Sequence, residues 1–437
     1  MTIENAYNSC LENMYGLHRF GIILGLETIA RMLKSLGEPH KSYATIHVAG
    51  SNGKGSVASA IATVLRKAGY KVGLYTSPHL VKFNERISVD GKHISDEDVV
   101  MLCDAVKQAD YGERQPTFFE YTTAMALYHF SLKKVDFAVL ETGMGGRMDA
   151  TNVVKPKVSV ITNISLEHQA YLGKKLTDIA FEKAGIIKND TPVVTAVSQK
   201  SVIDVMKKVA AEKNAPFLRL GDAFKVRKNK SNSFNYYGMD LTVKDVELGL
   251  LGSHQIENAS LVLAACEILT TLGADIPVNI MTEGIKKNRW PGRLDVYGDK
   301  PKVVLDGAHS LMAVRRLCDY LYNECSDKKI TLVMGILDDK PYKGMLKNIL
   351  PLASRLILTR PKIDRGIPTD ILYKTAKELI SDVRVVPDVG TALKEAIDIS
   401  RNDDSVSDEE KMVCVAGSLY VVGEAMEALE KMGYDMT

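Results

Sequence analysis

The sequence predicts an α/β protein in which a mostly parallel, doubly wound sheet is followed by a smaller α/β domain. First, short apolar runs typical of buried strands alternate with stretches whose apolar residues recur at helical spacing. Second, the chain has 437 residues, which is too long for one ordinary hydrophobic core. Third, the turn-prone stretch Trp290-Pro291-Gly292-Arg293 separates two such alternating series. We therefore predict one domain over residues 1–292 and another over 293–437.

Composition narrows the classes of function. Hydrophobic residues make up 46% and charged residues 25% of the chain, as in soluble globular enzymes. The net charge of +2 gives no electrostatic case for nucleic acid or membrane as the main partner. The polar opening lacks a signal-peptide core, and no apolar run is long enough to span a bilayer. Six scattered cysteines without a CxxC pair favour buried thiols in a reducing cytoplasm.

The predicted elements follow from periodicity and capping signals. Residues 1–40 have helical spacing up to Gly37 and Pro39, and Ser95 resembles a helix cap. The predicted strands of the first domain are 45–48, 71–76, 136–140, 157–163, 192–195 and 216–220. Its predicted helices are 57–68, 95–106, 117–131, 200–213, 254–272 and 278–288. Residues 224–251 alternate polar and apolar side chains, which predicts hairpins at a sheet edge. The second series has predicted strands at 303–305, 330–334, 355–359, 383–386 and 412–416.

A glycine-rich loop, Gly50-Ser51-Asn52-Gly53-Lys54-Gly55-Ser56, lies between a predicted buried strand and a predicted helix. In this arrangement, backbone N–H groups and a helix N-terminus hold phosphate. Lys54 would reach terminal phosphate oxygens, and Ser56 would ligate Mg²⁺. The strict GxxxxGK[ST] pattern fails, because its first Gly would fall at Val48. An ordinary strand-to-helix turn is the alternative.

Four polar groups directly follow predicted parallel strands: the 50–56 loop, Ser77, Glu141 and His168. Ligands of open α/β sheets bind beyond the carboxyl ends of the strands, so we expect all four at one rim. Ser77 and Glu141 offer the hard oxygen ligands that Mg²⁺ prefers, whereas His168 is a less usual ligand. Taken singly, Glu141 could instead pair with Arg147, Ser77 could cap a turn, and His168 could be an ordinary histidine.

Further candidates follow the same logic. The glycine-rich loop 143–152 would approach a ligand, with Asp149 and Asn152 as partners for a heterocycle, or would be a tight turn. Lys183 lies at a predicted helix end, where interaction with the helix dipole is the ordinary explanation.

The second domain also presents polar groups at predicted strand ends, namely Asp306 with His309, and residues 338–340. Two sheets with such loops indicate a site between domains. Arg293 would act there as a phosphate clamp, or else as a hinge salt bridge.

Twelve stretches occur along the chain in this order: HVAGSNGKGS, TSPHL, FNERI, FFEY, ETGMGGRMDATN, ITNISLEHQAYLG, EKAGI, SHQIENA, WPGRLD, LDGAH, MGILDDK and AGSLYVVGE. Together they resemble the folylpolyglutamate synthases and bifunctional dihydrofolate synthases. These belong to the Mur ligase superfamily of ATP-dependent amide-forming enzymes. The resemblance implies an N-terminal P-loop ATPase domain. It also implies a smaller Rossmann-like domain that binds glutamate and closes on ATP.

The resemblance also implies roles for individual residues. Lys54, Glu141, His168 and Lys183 would be catalytic, and Lys183 would be carbamylated. Two Mg²⁺ ions would be held by Ser56, Ser77, Glu141 and His168. ATP would contact Ser51, Asn52, Gly53, Lys54, Gly55, Ser56, Asn258, Arg293, Asp306 and His309. The pterin would lie near Phe119, Asp149, Ala150 and Asn152. Three positions depart from the family pattern, with Ser51 for Thr, Glu167 for Asp and Ser310 for Asn.

The implied reaction is ATP-dependent ligation of L-glutamate to a pteroate or folyl carboxylate through an acyl phosphate, giving ADP and phosphate. The expected partners are small molecules only, and the protein is expected to be a cytoplasmic monomer. One alternative is a Mur-type ligase that adds an amino acid to a nucleotide-linked cell-wall precursor. Another is an ATP-binding regulator without ligase activity.

Overall fold

The computed structural model describes residues 2–17, 21, 23–229 and 232–434. The chain divides into two compact units. The first comprises Met1–His79, Phe83–Gly249 and Ile256–Arg289, and the second Leu80–Lys82, Leu250–Gln255 and Trp290–Thr437. Among the described residues, no helix is both long and apolar enough to cross a membrane.

The first unit contains a large sheet, a small sheet and helices α1 to α10. The strands are β1 Ala44–Ala49, β2 Val72–Tyr75, β3 Ile87–Val89, β4 Lys92–His93, β5 Phe137–Glu141, β6 Val158–Ile161, β7 Val193–Thr195, β8 Phe217–Arg219, β9 Lys225–Lys228, β10 Ser233–Tyr237 and β11 Thr242–Glu247. The helices are α1 Ile3–Gly16, α2 Glu27–Ser35, α3 Lys54–Lys67, α4 Asp96–Lys107, α5 Phe118–Leu132, α6 Gln169–Leu172, α7 Leu176–Ala184, α8 Lys200–Glu212, α9 Gln255–Thr271 and α10 Val278–Lys287. Residues 18–20 and 22, within the predicted N-terminal helical region, lie outside the described residues.

The large sheet has the strand order β4-β3-β2-β5-β1-β6-β7-β8 over the described residues. The neighbouring strands β2, β5, β1, β6, β7 and β8 run parallel. β3 pairs antiparallel with β2, and β4 pairs antiparallel with β3. Alternate residues of β5 pack on opposite faces, with Val139 in one apolar core and Ala138 and Leu140 in another. The predicted doubly wound α/β sheet is therefore confirmed.

Local signals placed several helices correctly. The Ser95 side chain accepts a hydrogen bond from the Asp98 N–H, so it caps α4 as predicted. Thr117 and Glu120 form a capping box at the start of α5, because each side chain accepts from the other residue's backbone N–H. This cap fixes the start of the helix that carries Phe119.

The antiparallel strands predicted over 224–251 are present, and in the described part of the chain they form a sheet of their own that does not extend the large sheet. Strands β9, β10 and β11 form a separate antiparallel sheet over the described residues. Its inward residues Phe234, Tyr236, Val243 and Val246 pack into the core that α3 and α9 share. The polar–apolar alternation indicates only that one face of each strand is buried. It does not show which sheet the strands belong to.

The second unit is a six-stranded sheet over the described residues, in the order β12-β13-β17-β14-β15-β16. The strands are β12 Arg293–Tyr297, β13 Lys302–Asp306, β14 Lys329–Met334, β15 Arg355–Leu358, β16 Val383–Val385 and β17 Lys411–Ala416. The helices are α11 Leu311–Glu324, α12 Tyr342–Ile349, α13 Thr369–Ala376, α14 Val389–Arg401 and α15 Leu419–Lys431. All pairs are parallel except β12 with β13. The sequence did not predict β12.

Candidate active site

The glycine-rich loop joins β1 to α3, and two of its glycines are sterically required. Gly50 has φ +147°, and a Cβ there would lie 1.8 Å from the Thr162 hydroxyl oxygen. Gly53 precedes α3 with φ +83°, and a Cβ there would lie 2.6 Å from Asn258 Oδ1. The loop therefore packs tightly against its surroundings, and the buried Asn258 side chain lies against it.

The strand order brings three of the four predicted groups, namely the glycine-rich loop, Ser77 and Glu141, to one edge of the sheet. β2, β5, β1 and β6 are consecutive parallel neighbours, so their carboxyl ends lie side by side. Glu141 is the last residue of β5, and Ser77, the glycine-rich loop and residues 162–168 follow β2, β1 and β6. Val48 pairs with Glu141 across β1 and β5, and the Ser77 N–H donates to Glu141 Oε2 at 3.1 Å. The fourth group, His168, directly precedes the short α6, seven residues beyond the end of β6, with φ +45° and an exposed side chain. The edge so formed is where ligands of such sheets bind.

Two lysines converge on one carbonyl oxygen of the loop. Lys54 Nζ donates to the Gly50 oxygen at 3.1 Å, and Lys183 Nζ donates to the same oxygen at 2.8 Å. Lys183 lies in the last turn of α7 and is buried, which lowers the pKa of its ammonium group. Because Lys183 points at the loop, its role extends beyond interaction with the dipole of α7.

Glu167 is the charged partner of Lys183. Its Oε1 lies 2.7 Å from Lys183 Nζ. Burial by itself raises the pKa of the Glu167 carboxyl, but Lys183, Lys54 and the nearby His168 outweigh burial and leave that pKa below its usual value. The carboxylate therefore stays ionised beside the loop.

The donor set at this edge fits Mg²⁺. The Ser56 hydroxyl is buried and finds no hydrogen-bond partner among the described residues, a costly state that a cation or a phosphate would relieve. The buried Glu141 carboxylate lies at the same edge. Mg²⁺ beside phosphates typically takes one or two protein oxygens and completes its shell with water and substrate oxygens. Among the described residues, no group of three or more His, Cys, Asp or Glu side chains could hold a metal by itself.

The second glycine-rich loop is held together by its own carboxylate. Asp149 accepts from the Met144 N–H at 2.8 Å, the Thr151 N–H at 3.0 Å and the Thr151 hydroxyl at 2.6 Å. Burial raises the pKa of Asp149. Asp149 and Ala150 are both buried, so Asp149 shapes this loop through bonds inside it.

Phe119 packs against this loop, and Asn152 is the last residue of the loop. A Cβ on Gly143 would lie 2.5 Å from Phe119 Cζ, so the ring packs directly on the loop backbone. Asn152 donates to the carbonyl oxygens of Arg147 at 3.0 Å and Gly185 at 3.1 Å, while its own Oδ1 is buried and finds no partner in the part of the chain that the structure describes. Asn152 thereby ties the loop to the end of α7.

Arg147 forms its ion pair with Glu182. The alternative prediction, an ion pair between Arg147 and Glu141, was therefore wrong. The shortest contact joins Arg147 Nη2 and Glu182 Oε1 at 2.8 Å. A Cβ on Gly185 would lie 2.3 Å from Arg147 Cα, which shows how closely the two backbones approach. This packing sets the position of the neighbouring Lys183.

In the second unit, Asp306 and its neighbours form a compact turn. Asp306 accepts from the Leu294 N–H at 3.1 Å and the Ala308 N–H at 2.9 Å. Burial raises the pKa of Asp306 to about 6, although Arg293 opposes the shift. The Nδ1 of His309 lies 2.7 Å from the Gly307 oxygen, so this nitrogen carries the proton.

Two other predicted features of this unit have structural roles. Ser310 accepts from the Ala313 N–H at 3.2 Å and so caps α11, which accounts for a hydroxyl at that position. In the 338–340 loop, Asp339 pairs with Lys340 at 2.8 Å and with Arg365 at 2.9 Å.

Sequence reasoning missed the residues after β6 that lie against the glycine-rich loop or against Lys183. Thr162, Asn163 and Ser165 hydrogen-bond to Ser51 and Asn52, and Glu167 pairs with Lys183. Thr162 and Asn163 lie at the end of the predicted strand 157–163, and Ser165 and Glu167 follow it. That position was the available signal, but only His168 was chosen there.

Comparisons with known proteins give a consistent result. Residues 48–266 match the Mur ligase middle domain, and residues 294–428 match the dihydrofolate synthetase C-terminal domain. The chain is 35% identical to the dihydrofolate synthase/folylpolyglutamate synthase of Bacillus subtilis, over 97% of this chain and 99% of that protein. The crystal structure of folylpolyglutamate synthase from Thermotoga maritima is 36% identical with a TM-score of 0.85, covering 99% of this chain and 98% of that one. Escherichia coli FolC in complex with DHPP and ADP is 29% identical with a TM-score of 0.88, covering 98% of both chains.

Proposed function

This chain belongs to the Mur ligase family, in the branch of dihydrofolate and folylpolyglutamate synthases, and on that premise we propose that it ligates L-glutamate to a pteroate or folyl carboxylate. It is an ATP-dependent amide-forming ligase. One observation carries the proposal: a phosphate loop, an unpartnered buried Ser56 hydroxyl and Glu141 share the carboxyl edge of adjacent parallel strands. The C-terminal match to dihydrofolate synthetase favours the folate branch over a cell-wall ligase.

The chemistry follows from the poor reactivity of a free carboxylate. ATP phosphorylates the carboxylate, the glutamate amine attacks the acyl phosphate, and phosphate leaves as the amide forms. Phosphoryl transfer requires positioning and neutralisation of charge more than covalent help. Lys54 would exchange its bond to the Gly50 oxygen for a phosphate oxygen. Mg²⁺, bound through Ser56, Ser77, Glu141 and His168, would supply further positive charge.

Several finer assignments are part of the proposal and come from the family resemblance. Residues 1–292 would bind ATP and the pterin, the latter near Phe119, Asp149, Ala150 and Asn152. Residues 293–437 would bind the incoming glutamate, and Asn258, Arg293, Asp306 and His309 would contact ATP. A second Mg²⁺, a carbamate on Lys183, a cytoplasmic location and a monomeric state are also predictions.

The test is ADP release that depends on glutamate, with dihydropteroate or tetrahydrofolate as the acceptor. We expect release with at least one acceptor and its loss in Lys54→Ala and Glu141→Ala. Lys67→Ala, at the far end of α3, and the exposed Glu212→Ala are matched controls that should retain turnover. Near-normal turnover in the Lys54 or Glu141 variant would refute the site. ATP binding without glutamate-dependent release would indicate a regulator, and no release with either acceptor would indicate another Mur-type substrate.

A further inference from the structure

The first part of the phosphate loop depends on another segment for its hydrogen bonds. Residues 50–52 lie between the end of β1 and the start of α3, outside both elements. Buried backbone groups need partners, and here the segment 162–165 after β6 supplies them. The Ser51 N–H donates to the Asn163 carbonyl oxygen at 2.8 Å, and the Ser165 N–H donates to the Ser51 hydroxyl at 2.9 Å.

Asn52 is held most closely of the three. The Asn163 side chain accepts from the Asn52 N–H at 3.1 Å and donates to the Asn52 carbonyl oxygen at 3.0 Å. One amide side chain thus pairs with both backbone groups of one residue, as a neighbouring strand would. The Thr162 hydroxyl donates to the same carbonyl oxygen at 2.6 Å.

The hydrogen bonds that join Thr162 and Asn163 to Asn52 affect the first N–H groups of α3 through the backbone that joins them. Asn52 directly precedes Gly53, whose left-handed backbone turns the chain into α3. The direction of the first N–H groups of α3 therefore depends on how the Asn52 backbone is held. Thr162 is buried and its hydroxyl is committed to this contact, so its effect passes through the loop and not through the ligand.

We propose that Thr162 and Asn163 are positioning residues that hold the phosphate loop in its binding conformation before ATP arrives. The inference rests on the ATP-dependent ligase proposed above. A loop that is ordered in advance loses less conformational entropy on binding, so removing the contacts should weaken ATP affinity. Substrates that do not touch the loop should be affected much less.

The chain offers a matched set of variants. Thr162→Val keeps the shape and removes one hydrogen bond, Thr162→Ser keeps the hydroxyl, and Asn163→Ala removes two bonds. Ser159→Ala is the control, because Ser159 lies on β6, directly before this segment, and its buried hydroxyl donates to the Ile186 oxygen at 2.9 Å and not to the loop. Circular dichroism and melting temperature establish that each variant is folded.

The readouts are the Kd for ATP by calorimetry and the KM values for ATP and for the pterin acceptor. We expect the Kd to rise about fivefold in Thr162→Val and about 30-fold in Asn163→Ala, from one and two net hydrogen bonds. Thr162→Ser and Ser159→Ala should bind ATP like the wild type, even though Ser159→Ala lowers the melting temperature. The KM for the pterin should stay within about twofold in every folded variant.

Unchanged ATP affinity in folded Thr162→Val and Asn163→Ala would overturn this inference while leaving the ligase proposal intact. A parallel rise in the KM for ATP and for the pterin would also overturn it, since that indicates general disruption. Failure of the wild type to bind ATP would instead overturn both proposals.

Discussion

Replacing the partners of the Lys183–Glu167 pair will show which charge Lys183 carries in the folded protein. Its Nζ lies 2.7 Å from Glu167 Oε1, with side-chain exposures of 1% for Lys183 and 18% for Glu167. An ammonium group would make the two side chains an attractive pair. A carbamate would place two negative groups side by side.

The expected magnitudes follow from this burial. Removing one partner of a buried ion pair costs about 3–5 kcal/mol, because the other charge is left uncompensated. Glu167 retains some access to water, so we expect Lys183→Met to cost about 3 kcal/mol, the lower end of that range. Glu167→Gln keeps an acceptor for the ammonium and should cost about 2 kcal/mol. The double variant should lose about 2 kcal/mol less than the sum of the two single losses.

Urea unfolding, followed by circular dichroism and extrapolated to water, measures these differences. The pair also predicts a pH dependence. The pKa of Glu167 is lowered in the folded state, so the ionised carboxylate contributes to the free energy of unfolding. This contribution is fully present above the unfolded pKa of about 4.3, and it is lost as the pH falls through the folded pKa. Glu167→Gln should lack this loss. A Glu167→Gln protein more stable than the wild type would refute the ion pair and favour a carbamate. A double variant that loses the full sum would refute the ion pair.

Two other predictions concern packing and acid stability. Gly185→Ala should lower the free energy of unfolding by about 1–3 kcal/mol and reduce turnover, because its Cβ would lie 2.3 Å from the Arg147 backbone beside Lys183. The control is Gly16→Ala, at the end of α1, where no atom of the described residues would lie within 4 Å of the new Cβ, so this variant should be neutral or stabilising. An unchanged Gly185→Ala protein would contradict the packing argument. Burial lowers the pKa of His47 to about 3, whereas the unfolded pKa is about 6.5. Between these two pH values the unfolded state binds a proton that the folded state does not bind, so the free energy of unfolding falls as the pH falls, by up to about 1.4 kcal/mol per pH unit. His47→Gln should flatten the acid limb of the urea-derived stability profile by that amount, and an identical slope in both proteins would show that His47 takes up a proton in the folded state.

Local patterns in the sequence were sufficient for most elements of the fold. The glycine loop between a buried strand and an amphipathic stretch predicted β1, the turn and α3, because each signal spans only a few residues. The cap at Ser95 was correct for the same reason. The predicted order of strands and helices also identified the α/β class.

The strand order was decided by the tertiary structure. β5 lies between β1 and β2, although 61 residues separate the end of β2 from its start. That insertion is what places Glu141 beside Ser77 and beside the glycine loop. The same limit explains the hairpins over 224–251, whose alternation shows a buried face but not the element that covers it.

The chemistry of the site divides in the same way. By itself, the sequence determined which chemical groups follow the strands, since residue type and spacing are local properties. Only the tertiary structure decided that Lys183 meets Glu167 and the Gly50 oxygen, that Asp149 bonds within its own loop, and that Asn163 holds Asn52. Each of these is a contact of about 3 Å between polar groups, and most of them join groups that are distant along the chain. Packing and desolvation therefore decide which groups meet, and no periodic sequence pattern predicts such contacts.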